Sequence, residues 1–307
     1  VLNTHLPRYE KRTKFTVKQT ELLTVVYVVH TKHTTTHLAY NAYVITQQTF
    51  INTMQNKPAT LRWSASNAKL PDRIKHLSLP SGHSCPAADE CLSKADQTTG
   101  KITDGDSTKF RCYAATMEAR HSAIRKQRWN NFLLLRKKSR KGMFKLLFNS
   151  LRPLHDNYHR NHQQRPIVRA HIGGDFFNQS YFLAWCDLAR AFAPTWFYSY
   201  TKRIDLWVAN IEHIPSNFEL NASWGGKHDH LITTHNLKSA QVVYSELEAE
   251  KKGLEIDNDD SHAYKRGPSF AQLIHGTQPA GSEASKALTV LKLSGWTGYR
   301  ANTSCAS

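Results

Sequence analysis

Acid is scarce in this chain relative to base. Only 24 Asp and Glu stand against 41 Lys and Arg in 307 residues, a formal net charge of +17. Such a surface attracts polyanions, or serves simply as a solvated coat. Long apolar runs are absent too: none approaches the roughly 18 residues that span a bilayer, so no membrane partner is expected. No charged stretch leads into a compact apolar run with a small-residue cleavage site, so no secretory signal is expected either. Glycine is missing altogether from residues 1 to 65, a segment rich in Thr, His, Val and Tyr. Cysteine is rare, at five residues.

Three of the five cysteines lie close together. Cys85, Cys91 and Cys112 have five and then twenty residues between them, in Ser84-Cys85-Pro86, Glu90-Cys91-Leu92 and Arg111-Cys112-Tyr113. Thiolates are soft ligands for zinc and iron–sulfur clusters, and three of them leave one coordination position for something else. The competing readings are a disulfide with an odd thiol left over, or small buried apolar residues. Cys186 suits that last description, on the apolar side of an expected helix from Tyr181 to Phe192. Cys305 lies two residues from the end of the chain. His83 is a candidate fourth ligand for zinc.

The chain is long enough for one large α/β domain or two smaller ones. In the first 65 residues, Val25–Val29 and Ala42–Ile45 read as strands from their β-branched and aromatic content. Four histidines there (His5, His30, His33, His37) form no ligand set. The Thr34-Thr35-Thr36 run argues against the helix that would bring His33 and His37 together. From Asn67 the texture changes. Ile74–Leu79 reads as a strand running into the cysteine loop, and Ala114–Phe148 reads as mainly helical. Strands then recur at Ile167–Ile172, Trp196–Tyr200, Phe218–Ser223, Gln241–Ser245 and Phe270–His275. Strand, connection, strand at this spacing predicts βα units and a parallel sheet. Ligands bind at the C-terminal edge of such sheets. Gly173, Gly174, Asp175, Lys202, Ser223, Glu246 and His275 fall at that edge and are the candidate cofactor-binding residues. We therefore expect an N-terminal β-rich extension, residues 1–65, and an α/β domain, residues 66–307, shaped as a partial or complete parallel (βα) barrel.

Three further features are ambiguous. Between Lys109 and Arg165 there are fifteen Lys and Arg against Glu118 and Asp156, a balance of +13. Its densest part is Arg136-Lys137-Lys138-Ser139-Arg140-Lys141. Segment 109–165 could bind nucleic acid by counterion release, or present a solvated helix face. The run Glu255–His262 offers oxygen ligands suited to a divalent-metal nuclease. It lacks the glycine and distal glutamate of a calcium loop, and a solvated acidic turn is the simpler reading. Gly276–Ser282 reads as a turn into a helix starting near Glu283, with a phosphate cradle as the alternative.

The order strand, three-cysteine loop, helix, strand, Gly-Gly-Asp resembles the radical S-adenosylmethionine enzymes, though their cysteines are more tightly spaced. In those proteins the cysteines hold a 4Fe–4S cluster, and a Gly-Gly-Glu motif binds the amino group of the cofactor's methionine part. The resemblance implies a 4Fe–4S cluster on Cys85, Cys91 and Cys112, S-adenosylmethionine as a possible cofactor, and Gly173-Gly174-Asp175 in the motif's place. Zinc is the alternative metal. From about Asn67 to Tyr299 the chain resembles the bacteriophage "gene product 88" family. That likeness rests on Asn67-Ala68-Lys69-Leu70-Pro71, the Cys-Pro and Cys-Tyr-Ala elements, His171–Phe177, Tyr200-Thr201-Lys202 and His275–Gly281. It implies a phage protein with a cysteine-bound metal centre, acting in the host cytoplasm or within the virion. It supplies no reaction. An enzyme, a non-catalytic electron-transfer or structural cluster protein, and a zinc-containing nucleic-acid-binding protein all remain open.

Overall fold

The computed structural model describes residues 12–19, 22–29, 59–65, 70, 74–161 and 165–299. The chain divides into two compact units, 1–58 and 59–307. In the first, strands β1 (Arg12–Gln19) and β2 (Leu22–Val29) pair antiparallel, from Arg12 opposite Val29 to Gln19 opposite Leu22. The expected strand at Val25–Val29 lies in β2. The one expected at Ala42–Ile45 lies outside the described residues, as do His5, His30, His33, His37 and Cys305.

The second unit is a mixed α/β fold on an eight-stranded, mostly parallel sheet. Six parallel strands stand side by side in chain order: β4 (Ile74–His76), β7 (Ile167–Arg169), β8 (Trp196–Thr201), β9 (Phe218–Ser223), β10 (Ser239–Val243) and β12 (Phe270–Leu273). At one edge β3 (Ser64–Ala65) runs antiparallel to β4, and at the other β11 (Glu255–Ile256) runs parallel to β12. Among the described residues no ladder joins β3 to β11. A small hairpin, β5 (Ser93–Ala95) with β6 (Ile102–Asp104), forms inside the cysteine loop.

Alternation along the strands divides the two faces of the sheet. Val168, Phe197, Phe218, Leu220 and Ala222 belong to the main core. They share it with Tyr181, Phe182, Trp185, Cys186 and Leu188 of helix α4 (Gln179–Ala191). That helix forms where expected because its apolar residues recur at helical spacing. Asn178 Oδ1 also caps it by accepting from Tyr181 N at 2.9 Å, a contact worth about 1 kcal/mol. Cys186 is fully buried there. The opposite face carries Ile74, Ile167, Tyr198, Ala240 and Phe270, one from each of five parallel strands, in a second cluster.

The helical stretch expected at Ala114–Phe148 is three helices: α1 (Tyr113–Arg120), α2 (Ser122–Leu135) and α3 (Arg140–Asn161). The chain breaks between α1 and α2 because His121 takes an extended conformation (φ −121°, ψ 98°). The last helix, α9 (Glu283–Leu293), starts where expected, capped by Ser282 Oγ accepting from Ser285 N at 3.1 Å.

Candidate metal centre

The exit of β4 is fixed to the exit of β7 before the first cysteine is reached. Leu79 N donates to Gly173 O at 2.8 Å, and Ser84 Oγ donates to Pro80 O at 2.7 Å. Gly82 N then donates to Cys85 Sγ at 3.3 Å, a contact that favours a charged sulfur. The next stretch lies against the end of β9. Asp89 N and Glu90 N both donate to Gly225 O, and Ala88 bridges to Gly226. Cys112 is the N-cap residue of α1, and its N–H donates to Ser93 Oγ at 3.3 Å. Gln278, beyond β12, clamps the approach to it by accepting from Arg111 N at 2.7 Å and donating to Arg111 O at 3.1 Å. Three cysteines spread over 28 residues of sequence are thus held from β4, β9 and the loop after β12.

All three are free thiols and partly buried. Burial pushes Cys85 well above its ordinary value, and Asp175, Cys112 and Cys91 push it further. Burial also raises Cys91, to about 11; Lys202 pulls it back, while Cys112 and Asp175 push it up. Cys85 and Cys91 therefore both feel Cys112 and the Asp175 carboxylate, and Lys202 acts on Cys91. Among the described residues, no three His, Cys, Asp or Glu side chains are set around a common point as metal ligands. His83, the expected fourth zinc ligand, has Nε2 at 3.0 Å from Ala95 O and its ring against Trp129.

A cavity of about 140 Å³ opens beside the cysteines, with Cys91, Cys112, Gly174, Lys202, Ser223 and His275 in its wall. Lys202 Nζ is committed, donating to Ser223 O at 3.1 Å, to Ser223 Oγ at 3.0 Å and to Trp224 O. Asp175 is committed as well. Its carboxylate accepts from Thr201 Oγ1 at 2.6 Å, Phe176 N at 2.7 Å and Lys202 N at 2.8 Å. Burial raises its pKa against those bonds. Its geometry ties β7 to β8, and the carboxylate faces protein donors. Gly173 and Gly174 serve close packing. A Cβ on Gly173 would lie 2.7 Å from Arg128 Nη1, and one on Gly174 would lie 2.6 Å from Leu79 Cβ and Ser84 Oγ. His275 Nδ1 is 2.9 Å from Leu273 O. Glu246 is exposed in the first turn of α7 (Glu246–Lys251) and lines neither this cavity nor the larger one beside it.

Several residues that matter here carry no sequence signal of their own. Glu118 is fully buried. Its Oε1 accepts from Arg128 Nη1 at 2.6 Å, from Ser81 N at 2.9 Å and from Ser81 Oγ at 3.0 Å, which anchors the start of the cysteine loop to α1 and α2. The acidic run is not a solvated turn. Asp257 and Asp260 are fully buried, and Asp260 Oδ2 accepts from Arg169 Nη1 at 2.5 Å and Tyr198 Oη at 2.8 Å. Burying a carboxylate requires such partners, and Arg169 and Tyr198 supply them from β7 and β8.

The basic segment is split between two uses. Arg125 and Arg128 are buried in contacts with Glu118, Ala114, Gln97 and Thr98, and Arg140 forks onto Asp187 at 2.7 Å. Arg136, Lys137, Lys138 and Lys141 are exposed around the α2–α3 turn. Among the described residues no helix is long and apolar enough to cross a membrane.

No curated protein and no solved structure is significantly similar to the chain. A family profile does match it, over residues 31–292, which takes in the whole sheet, the cysteine loop and the Gln278 clamp. With most of its length matched, the chain belongs to the gene product 88 family of bacteriophage proteins.

Proposed function

We propose that this phage protein binds a 4Fe–4S cluster through Cys85, Cys91 and Cys112, at the C-terminal mouth of a partial parallel (βα) barrel of the radical S-adenosylmethionine type. The observation that carries the reading is the gathering of three free thiols at that sheet edge, Cys91 and Cys112 in the wall of one cavity and Cys85 near enough to feel both. The donor set suits the group: three soft thiols, one already receiving an N–H from Gly82. A cluster held by three thiolates keeps one iron open to a further ligand and carries single electrons. Lys202 places a positive charge beside Cys91 and favours its thiolate. In the reduced cytoplasm of an infected host the thiols would stay available to metal.

Curling of the sheet supports the barrel. Strand β4 lies five steps from β12, about 24 Å across a flat sheet. His76 and Ser78 at the β4 end nevertheless share with Gln272 of β12 the wall of one cavity. Asp260, just past edge strand β11, reaches Arg169 on β7.

Anaerobic purification tests the cluster. The protein should be brown, with charge-transfer absorbance and acid-labile sulfide, and the colour should vanish in Cys112→Ala and persist in Cys186→Ala. A colourless protein carrying one zinc ion overturns the reading. Reduction in the presence of S-adenosylmethionine then separates an enzyme, which releases 5′-deoxyadenosine, from a non-catalytic cluster protein, which leaves the compound intact.

A further inference from the structure

The cavity of about 510 Å³ meets the cysteine cavity along a shared wall of Tyr113, Arg169, Ile172, Gln272 and His275. Its volume is in the range of small-molecule sites. Three rings form one side. Tyr113 and His275 lie 4.7 Å apart between centroids, and Tyr299 stands edge-on to His275 at 5.0 Å. One polar atom on each of these rings is turned to the main chain. Tyr113 Oη donates to Ile172 O at 2.7 Å and Tyr299 Oη to Leu273 O at 3.1 Å, while His275 Nδ1 contacts Leu273 O. The rings therefore offer faces and edges.

Two polar side chains on the shared wall are oriented and only partly used. Arg169 is nine-tenths buried. Its Nε donates to His171 O at 2.7 Å and its Nη1 to Asp260, so the guanidinium plane is fixed. Its Nη2 has no hydrogen-bond partner among the described residues. Gln272 Nε2 donates to Tyr200 Oη at 3.0 Å, and Tyr200 Oη reaches Asp260 Oδ1 at 3.1 Å, so this amide is held by the same network. Gln272 Oε1 is left as an acceptor without a partner among the described residues. The charge on Arg169 is already balanced by Asp260, so the wall does not call for an anion. It calls for a neutral group presenting an acceptor to Arg169 and a donor to Gln272.

We infer that this chamber is a binding site for a planar heterocycle with a lactam edge, a C=O beside an N–H, as in an oxo-nucleobase. The C=O accepts from Arg169 Nη2, the N–H donates to Gln272 Oε1, and the flat body lies against Tyr113, His275 and Tyr299. The inference rests on the cluster reading only in making the neighbouring cavity the reacting centre; the ligand contacts are the chamber's own.

Calorimetry on the full chain as purified, with inosine and uridine as probes, tests it. At least one should bind at one site per chain. Methylating the lactam nitrogen (1-methylinosine, 3-methyluridine) removes the donor and leaves Gln272 Oε1 facing a methyl, so affinity should fall about tenfold or more. In Gln272→Leu the natural and methylated probes should bind within about twofold of each other. Ile124→Trp, which fills the chamber from α2, should abolish binding while the chain still unfolds cooperatively. Binding of neither nucleoside, equal binding of the methylated forms to the unaltered chain, or undiminished binding to Ile124→Trp overturns the inference. Iron and sulfide analysis of the same samples reads the cluster separately, so either reading can fail while the other stands.

Discussion

Alanine at Gly174 probes the joint on which the cysteine site is built. This residue has φ +87°, in the left-handed region, and an added Cβ would fall 2.6 Å from Leu79 Cβ and from Ser84 Oγ, and 3.1 Å from Leu79 O. The backbone term costs roughly 1–2 kcal/mol and forced repacking roughly 1–3 kcal/mol. Together Gly174→Ala should lose about 2–5 kcal/mol. In a unit of this size that lowers the melting temperature by about 4–20 °C. Gly253 is the internal control. It also has positive φ (+65°) but nothing within 4 Å of an added Cβ, so Gly253→Ala should lose only the backbone term, roughly 1–2 kcal/mol. Calorimetric melting of both metal-free variants measures the difference. Because the overlap falls on Ser84, next to Cys85, iron retained by Gly174→Ala should also drop, and by Gly253→Ala it should not. Equal melting temperatures for the two variants would refute the packing role given to Gly174.

Arg128→Met leaves Glu118 buried without its cation and should cost about 3–5 kcal/mol, much of it restored by adding Glu118→Gln; urea unfolding of the single and double variants measures both. In the metal-free protein Cys85 and Cys91 are held protonated by burial. Cys91, raised from 9.0 to about 11, therefore contributes stability below pH 9 that is lost as pH rises from 9 to 11, readable as a falling melting temperature. Lys202→Met should raise the Cys91 pKa further and slow its alkylation at a given pH, whereas an unchanged rate would contradict the assigned charge effect. His171 is buried and lowered to about 3, so the stability from keeping it neutral should fade as pH drops from about 6.5 toward 3, and less so in His171→Phe. Changing Arg136, Lys137, Lys138 and Lys141 to Gln should leave the melting temperature within about 1–2 °C, because all four are exposed. Filter binding of DNA and RNA by the unaltered chain and this variant, across a salt series, decides whether that turn contacts polyanions.

The parallel strands are legible in the sequence because each is a short β-branched or aromatic run closed by glycine or a polar residue at its C-terminal end. Helix α4 is legible because both its apolar period and its Asn178 cap are local. The cysteine loop falls at the C-terminal edge by the same logic, since it follows β4 directly. What stays hidden depends on partners remote in sequence. Asp260 reads as part of a solvated turn because its cation, Arg169, lies 91 residues earlier and one of its hydroxyl partners, Tyr198, 62 residues earlier. Glu118 reads as one acid in a basic stretch, yet it is the buried anchor of Ser81 and Arg128. Gly173-Gly174-Asp175 reads as a cofactor-binding triplet, while its glycines make room for Arg128, Leu79 and Ser84 and its carboxylate ties two strands together. Nothing in the local residue pattern announces these remote neighbours.

Counting iron and acid-labile sulfide in the anaerobically reconstituted chain, with Mössbauer spectra of the same sample, tests the central claim most directly. The account predicts about four irons per chain in a single cubane cluster. Cys85→Ala, Cys91→Ala and Cys112→Ala should each lose it, and Cys186→Ala should keep it. Iron bound equally well by Cys112→Ala, or a chain that takes up zinc and no iron, would contradict it.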